Sequence, residues 1–417
     1  MAQLSNDCFA FGGPLLSVDD ARALIAERLS PVAPIERVPL VEADGRVLAE
    51  TVLAPLDLPP FDNSAVDGYA VRSSDLAASG PTLLPLAGRL AAGIAAGAPA
   101  PGPHAIRIFT GAPMPPGFDT VFMQEDVELR GDAVNLPGGL KPGANRRPAG
   151  EDLARGAVAL EAGRRLSPRD LALLAGLGLA EIPVRAPLKV AVFSTGNEIV
   201  PPGEPLGPAA LYDANRFMLI ALLRRLGCRV SDGGIVPDDR ASAAAALRQA
   251  AGAHDCLITS GGVSTGEEDH VKAAVEEAGS LTFWRIAIKP GRPVALGVVA
   301  GTPFIGLPGN PAAVFVTFTQ VARALLARLA GEASRPLVAL PVEAGFPYAK
   351  KEGRREYVRV RVERREDGRV VALKHPREGA GVITSLTQTD GLVELPEAMT
   401  RVEPGTVVGF LPYSALV

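Results

Sequence analysis

Between about residues 187 and 329, strand-like apolar runs alternate with helix-like stretches, which predicts an α/β fold class for the middle of the chain. Two further observations make the whole a multidomain α/β plus β protein. Proline and glycine crowd the first 150 residues, and from about Pro336 helical periodicity gives way to period-two alternation. At 417 residues the chain has room for about two to four domains, each with its own core.

Taken in order, Ser17 before an apolar-periodic stretch at 18–29, with Asp20 at the capping-box position, predicts a capped amphipathic helix. A second short helix is expected over 40–48. From 55 to 143 the apolar runs are short and bounded by Gly, Pro and Asp, as in Tyr69-Ala70-Val71, Ile106-Arg107-Ile108-Phe109 and Thr120-Val121-Phe122-Met123. They predict a compact β-rich insert. Ser167-Pro168 opens a helix with proline at its first position, ending near 176–178. Strands are then expected at 189–193, 229–236, 255–259 and 304–307. Helices are expected at 215–226, 241–251, 269–278 and 312–329, so the reading is a parallel sheet covered on both faces. Beyond 336, Tyr357-Val358-Arg359-Val360-Arg361-Val362 alternates and Glu366-Asp367-Gly368-Arg369 is a hairpin turn, which predicts a small all-β domain.

Bulk properties exclude several function classes. The formal net charge is −4 without a compensating basic block, which argues against nucleic-acid binding. Three cysteines lack CxxC spacing and four histidines lie far apart, so a disulfide framework, structural zinc and a histidine metal site are not expected. A reducing, cytoplasmic location fits. The N-terminus lacks a leader pattern, and no apolar run is expected to approach the length needed to span a bilayer, so no membrane association is expected.

The chemistry-bearing segments cluster at strand ends. Thr259-Ser260-Gly261-Gly262-Val263-Ser264-Thr265-Gly266-Glu267-Glu268-Asp269 follows the apolar Cys256-Leu257-Ile258 and precedes a helix. Glycines there let a phosphate approach backbone N–H groups at a helix start, and the acidic residues suit a divalent cation shared with that phosphate. Ser194-Thr195-Gly196-Asn197-Glu198 ends another strand, where open α/β sheets bind ligands. Asp238, Asp269 and Glu198, all on loops at one sheet edge, form a carboxylate cluster able to hold magnesium. Lys289-Pro290-Gly291-Arg292, with Arg285 upstream, reads either as a solvated turn or as cations for phosphate or an oxyanion. Leu307-Pro308-Gly309-Asn310-Pro311 shapes a turn into the last helix and exposes main-chain N–H groups. In the first half, residues 59–70, 109–115 and 123–126 read as shaped loops or as plain turn chemistry, and 146–152, with the paired Arg146-Arg147, as an anion contact or a charged surface turn.

Together, residues 60–71, 110–116, 146–152, 194–198, 212–216, 259–272, 289–293 and 307–311 resemble, in order, the motifs of the MoeA family, whose animal relative is the E domain of gephyrin. The resemblance implies a homodimer of four-domain subunits. A linking domain is made of 15–54 and 144–184, and a β-rich insert spans 55–143. A MogA-like three-layer α/β/α molybdopterin-binding domain covers 185–332, and a C-terminal β-barrel covers 335–417. The implied activity is molybdopterin molybdenumtransferase: molybdate insertion into adenylylated molybdopterin with loss of AMP, requiring Mg2+. Gly261, Gly262 and Ser264 would cradle phosphate with Thr195, Gly196, Ser260, Pro308 and Pro311 beside them, and Glu198, Asp238 and Asp269 would hold magnesium. Lys289, Arg285 and Arg292 would attract molybdate with Arg354 and Ser385, while Asp67 and Thr110 would complete the catalytic set from the other subunit. Other molybdenum-cofactor synthesis proteins are implied as partners. Two alternatives remain at this point: a MogA-like adenylyltransferase, which would lack the flanking β-rich parts, and a non-catalytic molybdopterin-binding scaffold, which would not need the acidic cluster.

Overall fold

The computed structural model describes residues 15–236, 240–261, 270–291, 293–334 and 336–416. At its centre is a six-stranded sheet in the order Arg229–Val236, Lys189–Thr195, Cys256–Ser260, Thr302–Leu307, Pro293–Val299, Gly279–Arg285. The first four strands are parallel. Lys189–Thr195 is buried at every position but its first, and Cys256–Ser260 throughout, because helices lie on both faces. Pro293–Val299 runs antiparallel to both its neighbours, Thr302–Leu307 and Gly279–Arg285, so the sheet is mixed where an all-parallel one was expected. The reason is local: Ala300 (φ 49°) and Gly301 (φ 84°) fold a two-residue turn that returns Pro293–Val299 directly onto Thr302–Leu307.

From Lys189–Thr195 the chain passes through helix Asn215–Arg225 to a strand on one side. It then crosses through helix Arg240–Ala251 to Cys256–Ser260 on the other. The order therefore reverses between Thr195 and Ser260, and a crevice outside their carboxyl ends is the position where such sheets take ligands.

Helix Pro311–Thr317, a π-helical turn Phe318–Ala322 and helix Arg323–Leu329 run on continuously. This 19-residue stretch has a mean hydropathy of 1.4, so among the described residues one helix is long and apolar enough to cross a membrane, contrary to expectation. Burial of 78% of its span inside the protein makes it a core helix instead. One of its coverings is the N-terminal helix Val18–Arg28, capped by Ser17 Oγ accepting from Asp20 N at 3.0 Å. Val18, Ala21, Ile25 and Leu29 join the same apolar cluster as Leu325 and Leu329. Arg22 donates to Gln320, and Arg328 to the Leu29 carbonyl. By packing, then, the apolar side chains of residues 16–33 bury against the α/β core.

Strands from two separated segments make the linking portion: Ile35–Pro39 and Val47–Leu48 flank Glu181–Arg185, and Val52–Leu53 pairs with Val158–Leu160. Val38, Leu48, Leu160, Leu174 and Val184 share one core there. The helix expected over 40–48 is a single 3-10 turn, Leu40–Glu42, because left-handed Gly45 (φ 71°) ends it before Val47–Leu48. Inserted between the segments is a six-stranded sheet built from residues 68–136. At the other end, Leu340–Ala344, Arg355–Arg364, Val370–Lys374, Gly391–Leu395 and Val407–Pro412 close a five-stranded barrel. Val358 and Val360 face the barrel core, while Tyr357 packs into the α/β core, so both faces of this alternating strand are covered.

Candidate functional site

At the sheet's carboxyl edge, Thr195 leads into Gly196 (φ 132°) and Ser260 into Gly261 (φ 85°). Both glycines hold the left-handed backbone that a side chain disfavours. The two strand ends approach closely: a Cβ on Gly261 would lie 2.7 Å from the Thr195 carbonyl oxygen. Gly261 N donates to the Leu307 carbonyl at 3.1 Å and Ser260 Oγ to that of Pro308 at 3.3 Å. Asn215 Nδ2 donates to the Gly309 carbonyl at 2.6 Å. Pro311 then starts the core helix at its first turn. Thr195, Gly196, Ser260, Gly261, Pro308 and Pro311 are thereby gathered on one edge.

The same edge carries buried polar atoms without a hydrogen-bond partner among the described residues: Thr195 Oγ1, Thr259 Oγ1 and Asn215 Oδ1. A buried hydroxyl left unsatisfied costs about 1–3 kcal/mol, so such a cluster marks a place where a ligand's polar groups fit. Glu198 turns its carboxylate back against Gly196, within 2.5 Å of where a Cβ would stand. Behind it, Ser194 Oγ donates to Asp213 at 2.9 Å, and buried Arg216 bridges Asp213 (2.7 Å) and Asp232. Burial works against the Arg216 charge, but the two carboxylates outweigh it and raise its pKa. Asp238, Gly262, Ser264, Asp269 and Arg292 lie outside the described residues, and among those described no group of three acidic, histidine or cysteine side chains could hold a metal.

A second locus lies where the α/β layer meets the barrel. Ile288–Lys289 pairs parallel with Arg355–Glu356, and Ala312 N donates to the Ala380 carbonyl. Between them is a cavity of about 210 Å³ whose walls include Lys289, Arg359, Lys374, His375 and Arg377. Glu356, 1% exposed, gathers Lys289 (3.1 Å), Tyr348 (2.8 Å) and Arg354 (2.6 Å). Burial pushes its carboxyl up, but those three donors outweigh this and hold it below the usual carboxylate range. Burial lowers the Lys289 pKa, and the bonds to Tyr348 and Glu356 more than restore it, so the ammonium is firmly charged. Arg359 gives Nη2 to the Glu378 carbonyl at 2.7 Å while its buried Nε has no partner among the described residues.

The residues expected to meet an oxyanion divide here. Lys289 lines the cavity. Arg354 instead turns to Glu356 and lines a neighbouring depression with Lys351 and Gly353. Ser385 is fully buried, and its hydroxyl donates to the Val382 carbonyl within a helical turn. Arg285 ends the outermost strand at the carboxyl edge and is exposed. Arg359, Lys374, His375 and Arg377 were missed because on an alternating strand and its turn they read as solvated charge.

In the insert, Asp67 Oδ1 accepts from Thr110 N and Thr110 Oγ1, each at 2.8 Å. These two bonds, the backbone one first, hold the carboxyl below its usual range. Arg107 bonds Gln124 and the Gly68 carbonyl, and stacks 5.0 Å over Tyr69. Asp67 and Thr110 thus form one unit, and the bonds given to their side chains lie within the insert.

Comparison with known proteins follows these divisions. Residues 16–178 match the MoeA N-terminal region (domain I and II), 191–328 the probable molybdopterin binding domain, and 341–413 the MoeA C-terminal region (domain IV). Haemophilus influenzae molybdopterin molybdenumtransferase is 39% identical over 408 residues, 97% of this chain and 100% of that protein. The chain belongs to the MoeA family. Molybdopterin molybdenumtransferase 2 of Mycobacterium tuberculosis is 37% identical over 94% of this chain and 98% of its own. The molybdopterin biosynthesis MoeA protein of Pyrococcus horikoshii OT3 superposes with a TM-score of 0.81 at 29% identity, covering 96% of this chain and all of that one. A second Pyrococcus horikoshii MoeA structure gives 0.76 at 32%, covering 96% and 99%. For a MoeA chain, the flanking β-rich parts and the barrel are thus as much family features as the α/β sheet.

Proposed function

We propose that this chain is a molybdopterin molybdenumtransferase: it inserts molybdate into adenylylated molybdopterin and releases AMP. The observation that carries this reading is full-length kinship, 39% identity across 97% of the chain with a protein of that name. An adenylyltransferase of the MogA kind is not favoured, because the matches extend through both flanking regions and not over the α/β domain alone.

The geometry supports the chemistry. The adenylylated pterin binds at the carboxyl edge, with its phosphates against Gly261. There the left-handed backbone permits close approach and the unpartnered Thr195 hydroxyl supplies a donor. Molybdate is a tetrahedral dianion, and the Lys289, Arg359 and Lys374 cations suit it. The Glu198 carboxylate is a hard oxygen donor at the mouth of the crevice and fits Mg2+, with Asp238 and Asp269 as further ligands. When bound, the ion supplies Lewis-acid charge at the phosphoanhydride. Glu356 orients Lys289 toward the cavity, and the Ser194–Asp213–Arg216 network fixes the loop bearing Glu198.

The active assembly is proposed to be a homodimer, with Asp67 and Thr110 of one subunit serving the carboxyl edge of the other. Purified protein given adenylylated molybdopterin, Mg2+ and molybdate is expected to release AMP in step with active cofactor, and Glu198→Gln to suppress both. Pterin binding without AMP release would make it a scaffold. Mixing inactive Asp67→Ala and Glu198→Gln homodimers is expected to restore about a quarter of activity, since half the dimers are mixed with one intact site each; no recovery after confirmed subunit exchange would place Asp67 in its own subunit's site.

A further inference from the structure

At the opposite, amino edge of the central sheet, Leu188 enters strand Lys189–Thr195, seven residues and thus roughly 23 Å from the carboxyl edge. A cavity of about 180 Å³ lies there, between the linking portion, helix Asn215–Arg225 and the core helix. Its walls hold five guanidinium groups, Arg46, Arg165, Arg185, Arg225 and Arg323, against one carboxylate, Glu332. In a chain with a net charge of −4, that local excess is built rather than inherited from overall composition.

The cations are not equally committed. Arg165 is consumed by Glu332 (2.6 Å) and by the carbonyls of Gly45 (2.7 Å) and Leu226 (3.2 Å). Arg46 pairs with Glu36 and donates to the Arg185 carbonyl, and Arg185 donates to that of Ala33. The side chains of Arg323 and Arg225 have no hydrogen bond or ion pair among the described residues. Arg323 is partly buried on the core helix, and burial, with repulsion from Arg165 and Arg22, outweighs the attraction of Glu332 and weakens its hold on its proton. A guanidinium kept partly desolvated beside others of like charge, with one nearby carboxylate that is already paired to Arg165, costs free energy that a bound anion would return. Its planar fork matches phosphate oxygens. The remaining wall is apolar, with Leu188, Leu226, Leu326 and Ala330. The volume holds about six waters at liquid density, more room than a bare oxyanion fills.

We propose that this cavity binds a small phosphate monoester, its phosphate on Arg323 and Arg225 and its organic group against Leu188 and Leu326. The site is separate from the carboxyl edge, so its occupant is an effector and not a substrate of the transfer. By touching the linking portion and two α/β helices at once, it would set how firmly these parts hold together.

Phenyl phosphate, inorganic phosphate and the neutral benzyl alcohol are titrated calorimetrically into the full-length protein at low salt. Saturable binding of phenyl phosphate is expected, weakened at least about ten-fold by Arg323→Met and by Arg225→Ala and unchanged by Arg359→Ala. Arg225 is exposed at a helix end, so its variant folds even where the core-helix change does not. Equal affinity for inorganic phosphate would identify the free dianion as occupant, and the ester's organic group as unread. Binding indifferent to both Arg323→Met and Arg225→Ala, or absent up to roughly 10 mM, would overturn the proposal.

Discussion

Substituting Gly261 by alanine tests the carboxyl-edge reading because two separable effects meet there. At φ 85°, an L side chain costs about 1–2 kcal/mol. The added Cβ would also stand 2.7 Å from the Thr195 carbonyl and 3.2 Å from Thr195 Oγ1. That contact is with backbone, so the ends of Lys189–Thr195 and Cys256–Ser260 must separate, at an overpacking cost of about 1–3 kcal/mol. Two other glycines isolate the effects. Gly203 (φ 98°) has nothing within 4 Å of its would-be Cβ, so Gly203→Ala measures conformation alone. Gly309 is not left-handed and its Cβ would meet only Gly261 Cα at 4.0 Å, so Gly309→Ala is expected to be near neutral. Calorimetric unfolding of the three variants should rank Gly261→Ala well below Gly203→Ala and Gly203→Ala below Gly309→Ala, at about 2–4 °C per kcal/mol for a unit of this size. Displaced strand ends misplace the phosphate, so AMP release by folded Gly261→Ala should fall by about 100-fold, with Gly203→Ala near wild type. A Gly261→Ala protein no less stable than Gly203→Ala, and equally active as wild type, would refute the close-approach argument.

Thr195→Val removes a buried hydroxyl that has no partner among the described residues; stability should change by less than about 1 kcal/mol while pterin-nucleotide affinity, read by calorimetry, drops about five- to thirty-fold. Glu356→Gln leaves Lys289 and Arg354 without their shared buried charge and should cost about 3 kcal/mol near neutral pH in urea unfolding. Because the folded carboxyl sits below its ordinary 4.5, this contribution is full above 4.5 and lost as pH falls through the lower folded value; wild type and Glu356→Gln should therefore converge on acidification, and a constant gap would show that packing, not charge, is responsible. Cys228, pushed up to about 11 mainly by burial, should alkylate slowly at neutral pH and faster as pH approaches that value, followed by mass spectrometry.

What could be read from the chain was whatever local chemistry encodes. Ser17 with Asp20 announces a helix start because the cap is made within four residues, and the glycines after Thr195 and Ser260 announce strand ends because a left-handed residue is needed at each turn. Where the helix docks was not legible: its partner Gln320 lies 298 positions away, and an amphipathic face does not name what covers it. The expected helix over 40–48 failed for a related reason, since a short apolar pattern fits a helix or two turns equally and only Gly45 decides. Arg359 shows the limit most clearly. Alternation along Arg355–Arg364 sorts residues into two faces but assumes that one is wet. Here the second face is roofed by Lys289, Pro290 and Gly291, at the end of a short strand that pairs with Arg355–Glu356 after leaving the α/β layer, so a position that reads as solvated charge is a buried cation beside a cavity. Strand ends can therefore be found from sequence, because a sheet's own topology puts them on one edge. An anion site made where two domains abut has no such internal marker, and its signature is the cost that only the assembled structure reveals: a guanidinium nitrogen, Arg359 Nε, taken out of water without a partner among the described residues.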